Sequence, residues 1–277
     1  MTSLNYTVAD SATMLRRNLL HVRRYPTLAA MLLGVPVIFL LIFVYVFGGT
    51  LGAGLGGGMR AGLGAGLGRV SDSRAAYVSY VMPGILLLTI AAAAQGTAVT
   101  IAMDMTTGII ARFRTMSIAR ASVLTGHVLG SMIQSLLSVG VIIGLAFLVG
   151  FRSGASPLAW FAAIGLVALA ALALTWLSVA MGLAAKSVET ASNTPMFLML
   201  LPFLGSGFVP TSSLPAGLRW FAEYQPFTPV TQAVRGLLVG GAIGDNAVIA
   251  IAWSAGVALA AYLWARHVYT RRPLPVR

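Results

Sequence analysis

Long apolar runs alternate with short polar segments along most of the chain. Six runs are long enough to predict membrane-crossing helices: 27–47, 77–101, 123–149, 157–184, 193–209 and 246–265. A helix needs about 20 apolar residues to cross a hydrocarbon core of roughly 30 Å. The runs are continuous and lack period-two alternation, which argues against a closed barrel. The fifth run is the shortest, and Pro195 and Pro202 interrupt it. The predicted fold is an all-α integral membrane protein with six transmembrane helices.

Three segments depart from this rhythm. The first is "DSATMLRRNLLHVRRYP", residues 10–26. At 100° per residue Met14, Leu15, Leu19 and Val22 share one arc, while Arg16, Arg17, Arg23 and Arg24 lie opposite, interrupted by Leu20. Asp10 or Ser11 can cap this helix, and Pro26 ends it. Such a helix lies along the membrane surface with its arginines near anionic headgroups. A basic flank without defined helix is the alternative.

The second is "MDMTTGIIARFRTMSIARAS", residues 103–122, between the second and third runs. Asp104 with Thr106 and Thr107 reads as a helix start, placing Ile109, Ile110, Phe113 and Met116 on a face against Arg112 and Arg114. Two roles fit equally: a surface that receives force from a soluble partner, or a basic loop that anchors topology.

The third, residues 207–243, carries Pro210, Pro215, Pro226 and Pro229 and is too interrupted for one span, yet too apolar for an ordinary loop. It predicts two short helices, about 214–223 and 227–239, forming a re-entrant hairpin in the outer leaflet. Glu223 and Gln225 fall near the turn, Thr228-Pro229 suits the second helix start, and Trp220, Phe221 and Tyr224 are expected at headgroup level.

Charge sets the expected orientation. Only 9% of the 277 residues are charged and 58% are hydrophobic, against about a quarter charged in soluble domains. Lys and Arg number 18 against six Asp and Glu, a net +12. The basic residues flank apolar runs instead of forming a stripe, so nucleic-acid binding is disfavoured. With a cytoplasmic N-terminus, the inside receives 12 of the 18: Arg16, Arg17, Arg23, Arg24, Arg112, Arg114, Arg120, Lys186, Arg266, Arg271, Arg272 and Arg277. Arg60, Arg69, Arg74, Arg152, Arg219 and Arg235 fall outside. Both termini are therefore expected in the cytoplasm.

The first run is 21 residues long with no A-x-A site after it, and reads as an anchor instead of a cleaved signal. The expected organisation is a cytoplasmic tail and interfacial helix (1–26), a six-helix domain (27–265) and a basic tail (266–277). The domain includes an external loop (48–76), a cytoplasmic loop (102–122) and the external hairpin (207–243). Eleven of residues 48–68 are glycine, but no Gly-Lys-Ser/Thr follows, so this loop reads as a flexible linker.

Several chemistries have no carrier. The chain has no Walker-type loop and no nucleophile elbow, and His21, His127 and His267 are scattered without metal-ligand spacing. There is no cysteine, hence no disulfide or thiolate site. Asp10, Asp72, Asp104, Glu189, Glu223 and Asp245 all fall in loops or at span ends. Proton- and sodium-coupled carriers keep ionisable groups within the membrane. Any pumping must therefore draw its energy from a partner.

Gln95, Thr97, Gln134 and Ser138 are candidates to line a substrate path; interhelical hydrogen bonding is the alternative use. "GHVLG" (126–130) and "GVIIG" (140–144) in the third run suggest close helix packing.

The stretch "DMTTGIIARFRTMSIARASVLTGHVLG" resembles the cytoplasmic loop of ABC-2-type exporter permeases, particularly the daunorubicin/doxorubicin-resistance branch. It keeps Asp104, Gly108, Ile109, Arg112, Phe113, Arg114, Ile118, Arg120 and Gly126. It departs at Ser117, where proline is usual, at Ala111, often acidic, and at His127, often arginine. Residues 214–241 are similar to the segment before the family's last span, through Leu214-Pro215, Gln225-Pro226, Thr228-Pro229-Val230, Arg235 and Gly240. "LRRNLLHVRRYP" followed by "FVYVFGGTLG" is similar too, so the resemblance covers nearly the whole chain.

The resemblance implies a half-transporter of the bacterial plasma membrane that exports a hydrophobic drug-like or lipid-like substrate. A second permease copy would complete the pathway. Two ABC ATPase subunits on separate chains would hold ATP and magnesium, the permease carrying no cofactor. ATPase coupling would fall to Asp104, Gly108, Arg112, Phe113, Arg114 and Arg120, with Arg16, Arg17, Arg23 and Arg24. The hairpin with Trp220, Phe221, Gln225, Pro226, Pro229 and Arg235 would cap the exit. The rival readings are a passive channel, which needs no ATPase contact, and an intramembrane enzyme, for which no catalytic group stands out.

Overall fold

The computed structural model describes residues 26–48, 73–107 and 120–271, with side chains over 33–48, 75–107 and 125–270. Among these residues every regular element is helical. Helix α1 is Pro26–Leu41, and Ile42–Phe47 continues it as a π-helix. Four long helices follow: α2 Ser73–Thr106, α3 Arg120–Val149, α4 Pro157–Ala184 and, last in the chain, α9 Asn246–Arg271. Between α4 and α9 lie α5 Val188–Asn193, α6 Met196–Leu200, α7 Ala216–Tyr224 and α8 Phe227–Val239.

The four long helices are each long and apolar enough to cross a membrane. The described apolar part of α1, Leu33–Phe47, is shorter. The expected fifth span, 193–209, is not one helix. It breaks at Thr194-Pro195 into α5 and α6 and continues as turns through 201–208. Proline at 195 and 202 removes amide donors in succession, so the helical ladder cannot run on.

Helix α2 is the hub of the bundle. In its most apolar stretch 78% of residues are buried, against 22% in α3 and 17% in α9. It packs on α1, α3, α4, α5 and α8, while α4 also packs along α9. A helix that is apolar on every face is a buried one, and α2 shows why. At 34 residues it is about 51 Å long, well beyond a hydrocarbon core of roughly 30 Å.

Two close approaches hold the hub in place. A Cβ on Gly84 would lie 2.7 Å from the Gly207 carbonyl oxygen, and one on Gly182 would lie 2.6 Å from that of Ala98. Small residues let backbones meet where lipid supplies no hydrophobic drive. The G-x-x-x-G pairs of α3 are used differently. Gly126 and Gly130 are buried in the bundle, whereas Cβ atoms on Gly140 and Gly144 would meet nothing within 4 Å.

The larger core gathers α2 residues such as Tyr77, Met82 and Ile85 with Leu40, Ile142, Phe151, Phe208 and Phe227. Phe43 of the π-helix stacks on Phe208 with centroids 4.4 Å apart, fixing α1 against the 201–208 turns. A second core joins Ile101, Val128, Trp176, Leu183, Ala265 and Tyr269. The ends of α2, α4 and α9 therefore meet the start of α3 at one pole of the bundle. At the other pole, Ser153 Oγ donates to the Leu238 carbonyl and ties the α3–α4 connection to the end of α8.

Local chemistry explains several boundaries. Ser156 caps α4 by accepting from the Ala159 amide, with Pro157 at the first helical position. Ser187 caps α5 in the same way. The Ser187 hydroxyl, and then the residue's own backbone amide, hold the exposed Glu189 carboxyl below the usual carboxylate range.

One expectation is overturned here. Asp104 lies inside the last turns of α2 instead of starting a new helix. Thr106 Oγ1, Thr107 Oγ1 and the Thr107 amide all donate to the Met103 carbonyl, so this threonine pair closes α2. Of the expected helices, residues 10–25 of the first and 108–119 of the one placed within 103–122 lie outside the described residues, as does the glycine-rich stretch; Pro26, where the first was expected to end, is the first residue of α1.

Candidate functional site

Three groups of candidate residues occupy different levels of the bundle. The first sits where α2 ends and α3 begins. Asp104 is buried there, with its Oδ2 3.2 Å from His127 Nε2; the two side chains are 12% and 7% exposed. Burying a carboxylate is costly unless a charged or donor group meets it. His127, about two turns into α3, is one such group. Gly108, Arg112, Phe113 and Arg114 lie outside the described residues, as do Arg16, Arg17, Arg23 and Arg24. Arg120 is the first residue of α3.

The second group is the polar set within the helices. Thr97 Oγ1 donates to the Ala93 carbonyl and lies 2.9 Å from Ser131 Oγ, bridging α2 and α3. Gln95 Nε2 donates to the Ser192 carbonyl at 2.9 Å, bridging α2 and α5. Both side chains thus tie helices together. On α3, Ser138 is buried and Gln134 is half-buried. A small apolar cavity opens elsewhere, lined by Leu87, Ala170, Leu174, Phe227, Val230 and Trp253 among others, and contains none of these four residues.

The third group is built around α7 and α8. The two helices expected at about 214–223 and 227–239 are found at 216–224 and 227–239. Pro226 is the N-cap of α8 and Pro229 lies in its first turn, where no amide partner is lost. Gln225, at the corner, is buried and donates from Nε2 to the Leu201 carbonyl at 3.0 Å. Thr228 Oγ1 accepts from the Ser206 amide and donates to the Ala222 carbonyl, joining three segments through one hydroxyl. A side chain at Gly205 would collide with both Gln225 and Thr228. Trp220, Phe221 and Tyr224 are exposed on α7.

Arg235 locks this unit onto α2. Its Nε donates to the Tyr80 carbonyl at 3.2 Å and its Nη2 to the Ser206 carbonyl at 2.6 Å. The guanidinium carbon lies 3.9 Å from the centroid of the Tyr80 ring. Tyr80 lies in the turn before Pro83, which removes the amide donor to the neighbouring Ser79 carbonyl and loosens the helix there. A planar fork satisfied by two carbonyls and a ring face is a role that lysine cannot fill.

Residues 11–239 match the model of the ABC-2 type transporter family. The chain belongs to that family. It is a multi-pass membrane protein. Among similar proteins is the daunorubicin resistance ABC transporter permease protein of Streptomyces coeruleorubidus, 25% identical over 173 residues, or 62% of this chain and 61% of that one. Another, from Mycobacterium tuberculosis, is named as a probable doxorubicin resistance ABC transporter permease. It is 26% identical over 153 residues, 54% of each chain. The chain thus spans less than two thirds of the length of these relatives.

Within this ABC-2 chain, sequence reasoning singled out Asp104 and Arg235 but missed what holds them. His127 stood out only as a departure from the usual arginine. Thr228 was read only as a helix start, and Tyr80 and Ser206 carried no signal of their own, although Pro83-Gly84 inside an apolar run and the "GSG" of 205–207 mark the places where backbones close on each other.

Proposed function

We propose that this chain is the membrane-spanning permease subunit of an ABC exporter in the bacterial plasma membrane. The family match over residues 11–239 carries the reading. Resistance permeases among the similar proteins support export of a hydrophobic drug-like or lipid-like substrate. The chain has no nucleotide-binding loop in its sequence, so ATP hydrolysis belongs to a partner. Two ATPase subunits and a second permease copy complete the assembly.

In this reading α1 and the broken 193–209 segment serve as the first and fifth of six spans. Both termini are cytoplasmic, on the side of the pole where α2 ends and α3 begins. Lys186 follows the end of α4 and Arg266 lies near the end of α9, on the side of that same pole, in keeping with the positive-inside rule. Residues 108–119 with Arg112, Phe113 and Arg114, together with the basic N-terminal segment, receive the ATPase. Helices α7 and α8 dip into the outer leaflet and cap the exit, with Trp220, Phe221 and Tyr224 at the headgroups. Gln134 and Ser138 remain open to a path, since Gln95 and Thr97 already bridge helices.

Co-expression with an ABC ATPase tests the assembly. A stable complex containing both chains is expected after detergent extraction. A permease that purifies alone, and conducts solute in vesicles without ATP, would point to a passive pore.

A further inference from the structure

Residues 108–119 join the end of α2 to the start of α3, and Asp104 and His127 meet across that junction. Their contact is 3.2 Å and buried. It differs in kind from the Arg219–Glu223 pair, which is exposed and closes within one helix. Deeper along the same seam, Thr97 and Ser131 meet at 2.9 Å. Ile101 and Val128 fill the space between these two polar rungs, in the core that also holds Trp176 and Tyr269. Just beyond Asp104, the threonine pair closes the last turn of α2 on the Met103 carbonyl.

Apolar packing between two helices resists separation more than sliding, so a pull on the connection can still be split between them. A lateral tie at its base changes this. A buried contact between a carboxylate and a ring nitrogen is strongly directional, and removing one side chain takes away the tie between the two helices. Sliding α2 along α3 would have to break it. We propose that Asp104 and His127 form a strut across the base of the 108–119 connection, making α2 and α3 one lever for motion delivered there. The proposal rests on the ATPase-driven reading above. Asp104 is then a positioning residue, acting through α3, and not a contact for the ATPase itself.

The test uses the full chain, co-purified with its ATPase and reconstituted in lipid vesicles, with daunorubicin as the transport probe. ATP hydrolysis and drug transport are measured together for wild type, Asp104→Asn, His127→Leu, His127→Arg and the exchange Asp104→His with His127→Asp. The single changes Asp104→Asn and His127→Leu are expected to insert, bind the ATPase and hydrolyse ATP. Transport per ATP should fall roughly 2- to 30-fold, the range that such couplings carry. His127→Arg and the exchange should restore it, because each again sets a nitrogen-bearing side chain against a carboxylate across the two helices.

Normal transport per ATP in Asp104→Asn would overturn the strut. So would an exchange variant that inserts but stays as uncoupled as the single changes. Failure of all four variants to insert would overturn it too, by giving the pair a folding role only. A wild-type complex without ATP-dependent transport would instead remove the exporter reading on which the strut rests.

Discussion

The guanidinium of Arg235 lies 3.9 Å from the centroid of the Tyr80 ring and donates to the Tyr80 carbonyl from the same side chain. One residue thereby holds α8 to the hub helix through both its ring and its backbone. A cation over an aromatic face contributes about 0.5–2 kcal/mol, and a hydrogen bond from a charged donor about 1.5–3 kcal/mol. Arg235→Met should therefore lower the thermal unfolding midpoint in detergent clearly. Arg235→Lys should recover little of the loss, since lysine lacks the fork. Full recovery by lysine would mean that charge alone matters at this position.

The close approach of Gly84 and Gly207 gives a second expectation. Gly84→Ala places a methyl 2.7 Å from a carbonyl oxygen that belongs to backbone and cannot turn away. Overpacking of this kind costs about 1–3 kcal/mol. Gly140→Ala and Gly144→Ala meet nothing within 4 Å and should be tolerated. Thermal midpoints of the three variants decide the matter. Equal loss in all three would contradict the packing described here.

Orientation is open to direct chemistry because the chain has no cysteine. Arg152 and Lys186 are both exposed, at opposite poles of the bundle. A single cysteine at Arg152 should react with an impermeant thiol reagent in intact cells. One at Lys186 should react only after permeabilisation. The reverse pattern would invert the topology and place residues 108–119 outside the cell.

The contact between Thr97 and Ser131 separates a helix tie from a transport residue. Polar contacts between membrane helices contribute about 0.6–2 kcal/mol. Thr97→Val should cost stability of that order, and adding Ser131→Ala should cost little more. Export of any probe should keep its specificity. A changed substrate profile would place Thr97 on the path.

Where local chemistry decided the structure, the sequence was readable. The expected α4, 157–184, coincides with the observed helix because Ser156-Pro157 start it and the apolar run stops at Ala184. Helices α7 and α8 were visible because four prolines divide their segment. What stayed hidden depends on partners far along the chain. Asp104 resembled a loop residue, since nothing nearby shows that His127 would bury it. Helix α2 consequently runs five residues past its expected end at 101, to Thr106. The G-x-x-x-G motifs drew attention to α3, yet Gly140 and Gly144 are open. The isolated Gly84 and Gly182 make the tight contacts. A motif records spacing on one helix, and packing depends on the surface it meets.

The account stands or falls on ATP-driven transport through this chain. The direct measurement is ATP-dependent uptake of a panel of hydrophobic drug-like and lipid-like probes into inside-out vesicles that hold this chain co-expressed with an ABC ATPase, comparing wild type with Arg112→Ala/Arg114→Ala. Uptake that requires ATP in the wild type, and falls in the double variant while the protein remains inserted, is the predicted result. Uptake that proceeds equally without ATP, or is unchanged by the double substitution, would contradict it.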